Sequence, residues 1–460
     1  MNPFHNPVFL TKVLKSYLFD VNRLHRLSPE QLQRYQDKQI RKMVRFAFTV
    51  PLYKEKYQAA DLRPEDIRGL KDLPRLPLIT KEDIQHYYPD GIISTTQKKE
   101  QLVQVETSGT TGKSLPLYVD MFTIVMGLFA YARTLREYGL SERKTKMTVI
   151  GDFATHTAES GYISRGLEPR FNITGMFRNI QWLNTNDDPK KLIEEIDRFQ
   201  PEFIGGYVGM LAHLALLKEK GLGPHIHPQY IAATGSVLDP TLKKFIETSF
   251  QTHVFEAYGA TESGLIGFQC SQGNYHIMSD LVHVEYVKNG EVVPLGETGK
   301  VVLTKLYGTG TPIIRYDAIN DIVASSSRTC SCGMAGDLCE KIYGRDDLSL
   351  LLPGGIALLP TSFSEVYSKV LYDLKTNRLK NTRIIQHDLT TIEVQLVLDT
   401  PNEQALPSND MILSFVQQEF QKIVGSEVTV TVKQVETIEH QGPRIVSHVD
   451  RSTVLIKKYR

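Results

Sequence analysis

The chain has 460 residues, more than a single hydrophobic core usually serves, so its length predicts two or more domains. Its 41% hydrophobic and 23% charged residues are typical of a soluble globular protein. A formal net charge of +1 gives no electrostatic reason to expect a nucleic acid or an anionic membrane as partner. The ligand therefore has to be identified from local motifs.

The apolar stretches are short and the cysteines few. Pro7, Lys12 and Lys15 interrupt the apolar residues of the first segment, so we expect no secretion signal. The most apolar run, residues 122–132, is far shorter than the roughly 20 residues that cross a bilayer, and predicts a buried helix. Four cysteines do not suggest a disulfide framework in a chain of this length. We expect a cytoplasmic protein without membrane insertion.

Two helix starts are marked in the first hundred residues. Ser28 and Gln31 have the spacing of a capping box, with Pro29 at the first helical position, and we expect Pro51 to end this helix. Thr80 and Asp83 have the same spacing, which predicts a second helix start.

Short apolar strands then alternate with helices, as in residues 203–221, 230–236 and 253–259. This alternation predicts an α/β fold with a largely parallel sheet. From Asp280 the pattern changes to strands with glycine turns, including residues 311–325, which predicts a β-rich subdomain over about residues 265–340. After Gly344 strands flank a helix at 409–424, so we predict an N-terminal domain of residues 1–343 and an α+β C-terminal domain of residues 344–460.

A glycine- and hydroxyl-rich turn occupies residues 107–113. Its members are Thr107, Ser108, Gly109, Thr110, Thr111, Gly112 and Lys113. It ends in Gly-Lys-Ser as a P-loop does, but Thr107 stands where G-x-x-x-x-G-K-[ST] requires its first glycine. Its hydroxyls and exposed amides could still bind anionic oxygens, so we predict a phosphate-binding loop of another kind.

Three of the cysteines and one histidine form a second pattern. Cys270 and His276 are spaced C-x5-H, and Cys330 and Cys332 form C-x-C, with both pieces in the strand-rich segment. Three thiolates and an imidazole fit a closed tetrahedral Zn²⁺ site, which we predict here as structural zinc. The alternative is a set of reduced core cysteines beside a histidine in a turn.

Several motifs occur in a fixed order. The glycine-rich turn is followed by EAYGATE at 256–262, IIRYDAIND at 313–321 and GRDD at 344–347, and TVPLYKEKY and LPLITKEDI precede it. This order resembles the adenylate-forming superfamily of acyl-CoA ligases, peptide-synthetase adenylation domains and luciferases, and the phenylacetate–coenzyme A ligase branch in particular. The resemblance implies a large adenylation domain with mixed sheets and a small, mobile C-terminal lid domain.

It also implies a reaction, in which ATP and Mg²⁺ activate a carboxylic acid as an acyl-adenylate that is then transferred to coenzyme A. Developing charge on the phosphate must be met by preorganised donors and a divalent cation. Residues 107–113 would hold the β and γ phosphates. By the same resemblance, Gly235 and Ser236 would line the adenine and acyl pockets, and Tyr258 and Gly259 would lie beside the adenine.

The remaining carried-over roles are catalytic or bind the ribose. Thr261 would contact the α-phosphate and Glu262 would ligate Mg²⁺, an ion that prefers oxygen ligands. Asp321 would accept hydrogen bonds from the ribose hydroxyls, and Arg345 would approach the ribose or phosphate. Asp321 lies one residue later than the family pattern, so Asp317 remains the alternative for the ribose.

The C-terminal lysine turn of the family is replaced here. Gly442, Pro443 and Arg444 stand where Gly-Lys is expected, and proline offers neither charge nor N–H. We assign the missing charge to Arg444, and expect adenylation to persist with its help while the departure weakens transfer to coenzyme A. A non-thiol acceptor, as in deazaflavin-adenylylating or polysaccharide-pathway members, and an inactive nucleotide-binding homologue remain alternatives. An aryl acid is inferred by analogy only, and a homodimer is left open.

Overall fold

The computed structural model describes residues 2–107, 114–155, 157–167, 178–399, 407–438 and 444–459. The helices in these ranges are α1 (Pro7–Lys15), α2 (Val21–Arg23), α3 (Pro29–Ala47), α4 (Pro51–Ala59), α5 (Lys81–Tyr87), α6 (Met121–Glu137), α7 (Ala158–Ser160), α8 (Pro189–Phe199), α9 (Val208–Glu219), α10 (Pro240–Phe250), α11 (Pro360–Asp373) and α12 (Asn409–Val424). Across these same ranges, no helix combines the length and apolar character that a membrane span needs.

The first strands are β1 (Val103–Glu106), β2 (Pro116–Val119), β3 (Met147–Gly151), β4 (Ile180–Asn184), β5 (Phe203–Tyr207), β6 (Tyr230–Thr234), β7 (His253–Ala260), β8 (Gly264–Gln269), β9 (Tyr275–Ile277), β10 (Val282–Lys288), β11 (Glu291–Val292) and β12 (Thr298–Lys305). They are followed by β13 (Asp321–Ser326), β14 (Leu338–Arg345), β15 (Leu350–Leu352), β16 (Ile356–Leu358), β17 (Leu379–Gln386), β18 (Thr391–Leu398), β19 (Thr429–Gln434), β20 (Ile445–Ser447) and β21 (Lys458–Tyr459).

One mixed sheet runs through most of the N-terminal part. Among the described residues it has the order β11-β10-β12-β13-β14-β9-β8-β7-β6-β5-β3-β4. Strands β4, β3, β5, β6 and β7 are parallel, whereas β8 pairs antiparallel to the second half of β7. The α/β fold predicted from the sequence is confirmed, but the sheet is mixed and not largely parallel, because the β-rich segment continues it through β7 and β8 with antiparallel strands.

The residues after β14 form a smaller layer of their own. Strands β17–β20 make a four-stranded sheet in the order β19-β18-β17-β20, against which α11 and α12 pack around a separate apolar cluster that includes Val394, Val416 and Phe420. Helix α11 also reaches the larger body, where the Ser368 hydroxyl donates to Asp239 Oδ2 at 2.5 Å.

Most predicted helix signals are confirmed, and one stop signal is wrong. Ser28 and Gln31 form the capping box of α3, and Thr80 and Asp83 form that of α5. Helix α3 ends at Ala47, and Pro51 instead begins α4, because a proline is well tolerated at the first helical position. The apolar run at 122–132 lies in α6, as predicted.

The segment before β13 is not the strand that its apolar residues suggest. Residues 311–320 are irregular apart from single bridges of Tyr316 with Ile79 and Leu303. Arg315 and Asn320 have φ of 47° and 61°, which a strand cannot accommodate. The bend that results is what delivers Asp321 to the start of β13.

Candidate nucleotide site and cysteine–histidine cluster

The centre of the candidate nucleotide site is a tyrosine–aspartate pair. Tyr258 lies in β7, and its hydroxyl donates to Oδ2 of Asp321, the first residue of β13, at 2.6 Å. Burial raises the pKa of Asp321 to about 6, although the Tyr258 hydrogen bond and the Arg345 charge act in the opposite direction. The residue predicted to lie beside adenine and the one predicted to bind ribose are therefore direct neighbours.

The alternative aspartate lies elsewhere. Asp317 Oδ1 is 2.7 Å from the ammonium of Lys300, and the Asp317 amide donates to the Ile79 carbonyl. Asp321, and not Asp317, is thus the carboxylate that the structure brings to Tyr258.

Thr261 and Glu262 lie in the turn that joins β7 to β8. Oε1 of Glu262 accepts a hydrogen bond from the Tyr316 hydroxyl at 3.3 Å. Burial raises the pKa of Glu262, while the charges of Arg345 and Lys81 lower it. A half-buried carboxylate at a turn is an oxygen ligand of the kind that Mg²⁺ prefers, so the donor chemistry at Glu262 fits the predicted ion.

Arg345 connects the two carboxylates. It ends β14 directly opposite Asp321 in the strand register, and its charge lowers the pKa of both Asp321 and Glu262. Its guanidinium is held by Asp347, with Nε to Oδ1 at 3.1 Å and Nη2 to Oδ2 at 2.9 Å. This bidentate contact fixes the plane of the guanidinium beside the site.

Gly235 and Ser236 follow β6, the neighbour of β7. Gly235 has φ of +84°, and a Cβ built there would lie 2.1 Å from Cδ1 of Tyr207. Only glycine fits this combination of a left-handed backbone and a close aromatic ring. The Tyr207 hydroxyl donates to Glu159, so the wall beneath Gly235 has both apolar and polar character, while Ser236 is exposed.

The glycine-rich turn is described only at its first residue. Thr107 closes the β1–β2 hairpin, since its amide donates to the Leu115 carbonyl at 3.1 Å and its hydroxyl accepts from the Leu115 amide at 3.0 Å. The predicted residues from Ser108 to Lys113 lie outside the described residues.

Arg444 belongs to the C-terminal part of the chain, next to β20. It is exposed, and its carbonyl accepts a hydrogen bond from the Ile384 amide. Burial raises the pKa of Tyr367, and the charge of Arg444 acts to lower it. Across the described ranges it makes no hydrogen bond to the residues around Glu262, and Gly442 and Pro443 lie outside those ranges. Its catalytic role stays a prediction.

The predicted metal ligands converge. The ligand atoms of Cys270, His276, Cys330 and Cys332 all lie within 4.8 Å of one another. The sulfurs of Cys270 and Cys330 are 3.8 Å apart, and Cys332 Sγ is 3.3 Å from His276 Nε2. Zn–S bonds of about 2.3 Å in a tetrahedron require sulfurs about 3.8 Å apart, so the arrangement fits zinc.

Surrounding groups support this cluster unequally. The side-chain amide of Asn274 donates to Cys330 Sγ at 3.2 Å, and the backbone amide of Met334 donates to Cys332 Sγ at 3.4 Å. Burial acts to raise the pKa of the Cys330 thiol. Its hydrogen bonds, of which that with the Cys332 backbone has the largest effect, outweigh burial, so the net pKa is lowered. Among the described residues, His276 Nδ1 has no hydrogen-bond partner, so the expected group that fixes the histidine tautomer is not seen. Cys339 is buried outside the cluster.

Sequence reasoning missed several neighbours of the predicted residues. The Tyr316 hydroxyl donates to Glu262, and the charge of Lys81 lowers the pKa of Glu262. The Tyr207 ring packs against Gly235. Tyr316 and Lys81 lie inside two of the quoted motifs, IIRYDAIND and LPLITKEDI, which was the available signal. Tyr207 carried none, because only the fold places the end of β5 beneath Gly235.

Comparisons with known proteins agree with the motifs. No protein-family model matches the chain. The chain is 26% identical over 365 residues to a phenylacetate-coenzyme A ligase of Thermus thermophilus, covering 75% of this chain and 76% of the relative. It is 23% identical to a phenylacetate-coenzyme A ligase of Aromatoleum evansii, covering 91% and 94%.

A solved structure shares the fold. The crystal structure of a 2-hydroxyisobutyryl-CoA ligase, in the postadenylation state with 2-HIB-AMP, superposes with a TM-score of 0.71 at 17% identity, covering 94% of this chain and 92% of that one. The resemblance predicted from the motifs is therefore confirmed: the chain is similar in sequence to phenylacetate-coenzyme A ligases over most of its length and shares the fold of the 2-hydroxyisobutyryl-CoA ligase structure.

Proposed function

We propose that this chain is an ATP-dependent ligase that activates an organic acid, of the aryl class, as an acyl-adenylate and transfers the acyl group to coenzyme A. The observation that carries the proposal is the convergence of Tyr258, Asp321, Glu262 and Arg345, which come from three different segments of the chain. Its homology to acid–coenzyme A ligases over most of its length supports the same reaction.

Each residue has a defined part in binding ATP. Asp321 accepts hydrogen bonds from the ribose hydroxyls, for which its carboxylate must be ionised. Tyr258 holds that carboxylate in place through its 2.6 Å hydrogen bond and presents its ring to the adenine. Gly235 leaves room for the Tyr207 ring, which a Cβ at this position would displace, and so keeps the wall beside the adenine in place.

The reacting phosphate lies, in this proposal, beside the β7–β8 turn. Thr261 donates its hydroxyl to the α-phosphate, and Glu262 holds Mg²⁺, which when bound offsets the negative charge of the phosphates. Arg345 adds a fixed positive charge close to both carboxylates, and Arg444 supplies the charge of the replaced C-terminal lysine. Such preorganised charges contribute most where water is excluded.

Two further parts of the proposal are structural. Residues 1–343 form the adenylation domain, and residues 344–460 form a lid that moves between the half-reactions, as hinge domains do. Cys270, His276, Cys330 and Cys332 hold a structural zinc ion that stabilises the β-rich segment.

The test is acid-dependent exchange of pyrophosphate into ATP across a panel of aryl and alkyl acids, followed by thioester analysis with coenzyme A. We expect exchange with at least one acid, and thioester formation when coenzyme A is added. Exchange without thioester would assign a non-thiol acceptor, and ATP binding without exchange for any acid would identify an inactive homologue.

A further inference from the structure

A buried lysine near the candidate site has no carboxylate partner among the residues that the structure describes. Lys305 ends β12 and is 4% exposed, on the same face as the buried Leu303 and Val301. Its ammonium lies 4.7 Å from the centre of the Tyr307 ring. Within the described residues this ammonium makes no hydrogen bond and no ion pair, although an ammonium so deeply placed is costly to bury unpaired.

The nearby carboxylate is already committed. Burial lowers the pKa of Lys305, and the charge of Asp120 acts in the opposite direction. Asp120 Oδ1 accepts from the Thr123 amide at 2.9 Å, and its Oδ2 accepts from the Thr123 hydroxyl and the Gly310 amide at 3.1 Å each, and from the Thr309 amide. Asp120 therefore caps α6 and ties down the 308–310 turn. Burial lowers the pKa of Lys305 to about 8, which still leaves it largely protonated at neutral pH.

Lys305 is connected to the reaction site through Tyr307. The Tyr307 hydroxyl donates to the carbonyl of Ser263 at 3.3 Å, and Ser263 directly follows Glu262. Besides burial, the neighbouring Tyr162 raises the pKa of Tyr307, and the charge of Glu262 raises the pKa of Tyr162. The Tyr307 ring therefore contacts the Lys305 ammonium, while its hydroxyl reaches the β7–β8 turn.

We propose that Lys305 binds a second carboxylate on the acid substrate, so that the preferred substrate is a dicarboxylic acid. The inference rests on the proposed function, because it concerns the acid that is adenylated. A second carboxylate supplies the partner that Lys305 lacks among the described residues, and a monoacid leaves the buried charge unpaired. Sites that leave a buried polar group unpaired discriminate strongly against the wrong substrate.

The test compares matched acids in the pyrophosphate exchange assay. Phenylacetate is compared with the isomeric carboxyphenylacetates, and hexanoate with adipate. We expect the parent to favour a diacid over its monoacid by about 10- to 100-fold in kcat/KM, the range of a charge-assisted hydrogen bond. Lys305→Met should remove this preference, by lowering kcat/KM for the diacid and leaving the monoacid unchanged or improved, and Lys305→Arg should restore part of it.

Lys341→Met is the matched control, because the Lys341 ammonium also lies 4.7 Å from a tyrosine ring centre but the residue is exposed. This variant should keep the preference. Lys305→Met should unfold at a temperature no lower than the parent, which separates a lost contact from a lost fold.

A parent that favours monoacids, or a preference that survives Lys305→Met, would overturn the inference and leave the proposed function standing. If no acid of either series supports exchange in the parent, the proposed function fails and the inference fails with it.

Discussion

Asp321 is expected to bind the ribose at the expense of stability. Burial raises the pKa of its carboxyl from 3.8 to about 6, so the folded protein favours the neutral form more than the unfolded chain does. The contribution of this group to stability is therefore fully present below about pH 4 and is lost as the pH rises through about 6.

The magnitude follows from the size of the shift. A pKa raised by about 2 units corresponds to about 3 kcal/mol lost between these two limits. Asp321→Asn removes the ionisable group and keeps an acceptor for the Tyr258 hydroxyl, which donates to Asp321 at 2.6 Å. We therefore expect the variant to be about 3 kcal/mol more stable than the parent at pH 8, and to differ from it little at pH 4.

Urea unfolding of both proteins across pH 4 to 8 measures the difference in their free energies of unfolding. The titration of all other groups cancels in this difference. ATP binding by the parent should weaken as the pH falls through about 6, because a protonated Asp321 is a poorer acceptor, and this dependence should be absent in Asp321→Asn. A variant that is less stable than the parent at pH 8, or a difference independent of pH, would refute the reasoning.

Three further changes test other parts of the account. Cys332→Ser should lose about one zinc per chain, measured by elemental analysis, together with stability, whereas Cys339→Ser keeps the metal; full metal retention by Cys332→Ser would reject the zinc site. Gly235→Ala should weaken ATP binding through its 2.1 Å collision with a tyrosine ring, whereas Gly209→Ala, which meets no atom within 4 Å, should not; equal affinity in both variants would contradict this. Arg444→Ala should lower exchange, and an unchanged rate would remove Arg444 from catalysis.

The sequence predicted this fold well where local signals and burial agree. The capping boxes at Ser28 and Thr80 lie where their side chains bond the first turn, and both α3 and α5 also bury apolar residues. Pro51 misled because the same residue that ends one helix can begin another. The apolar residues of 311–320 misled because Arg315 and Asn320 adopt positive φ there, which depends on tertiary contacts such as the Arg315–Glu285 ion pair at 3.0 Å.

Some residues of the candidate site could be predicted from the sequence, and others could not. Tyr258, Glu262 and Asp321 could be placed from motifs, since they occur in a recognisable order within or next to the strands β7 and β13. Lys305 and Tyr207 could not, because their importance depends on what faces them across the sheet and on which partners are missing. Spacing along the chain carries no information about such distant pairs.

The central claim is that Glu262 supports adenylation without being needed for ATP to bind. The direct measurement is pyrophosphate exchange with an accepted acid, alongside ATP affinity, in the parent, Glu262→Gln and Glu256→Gln, the last being a control carboxylate on β7, the strand that precedes the Glu262 turn. The account predicts exchange reduced by about 100- to 1000-fold in Glu262→Gln, with ATP affinity largely kept, and near-parent exchange in Glu256→Gln. Normal exchange by Glu262→Gln would contradict it.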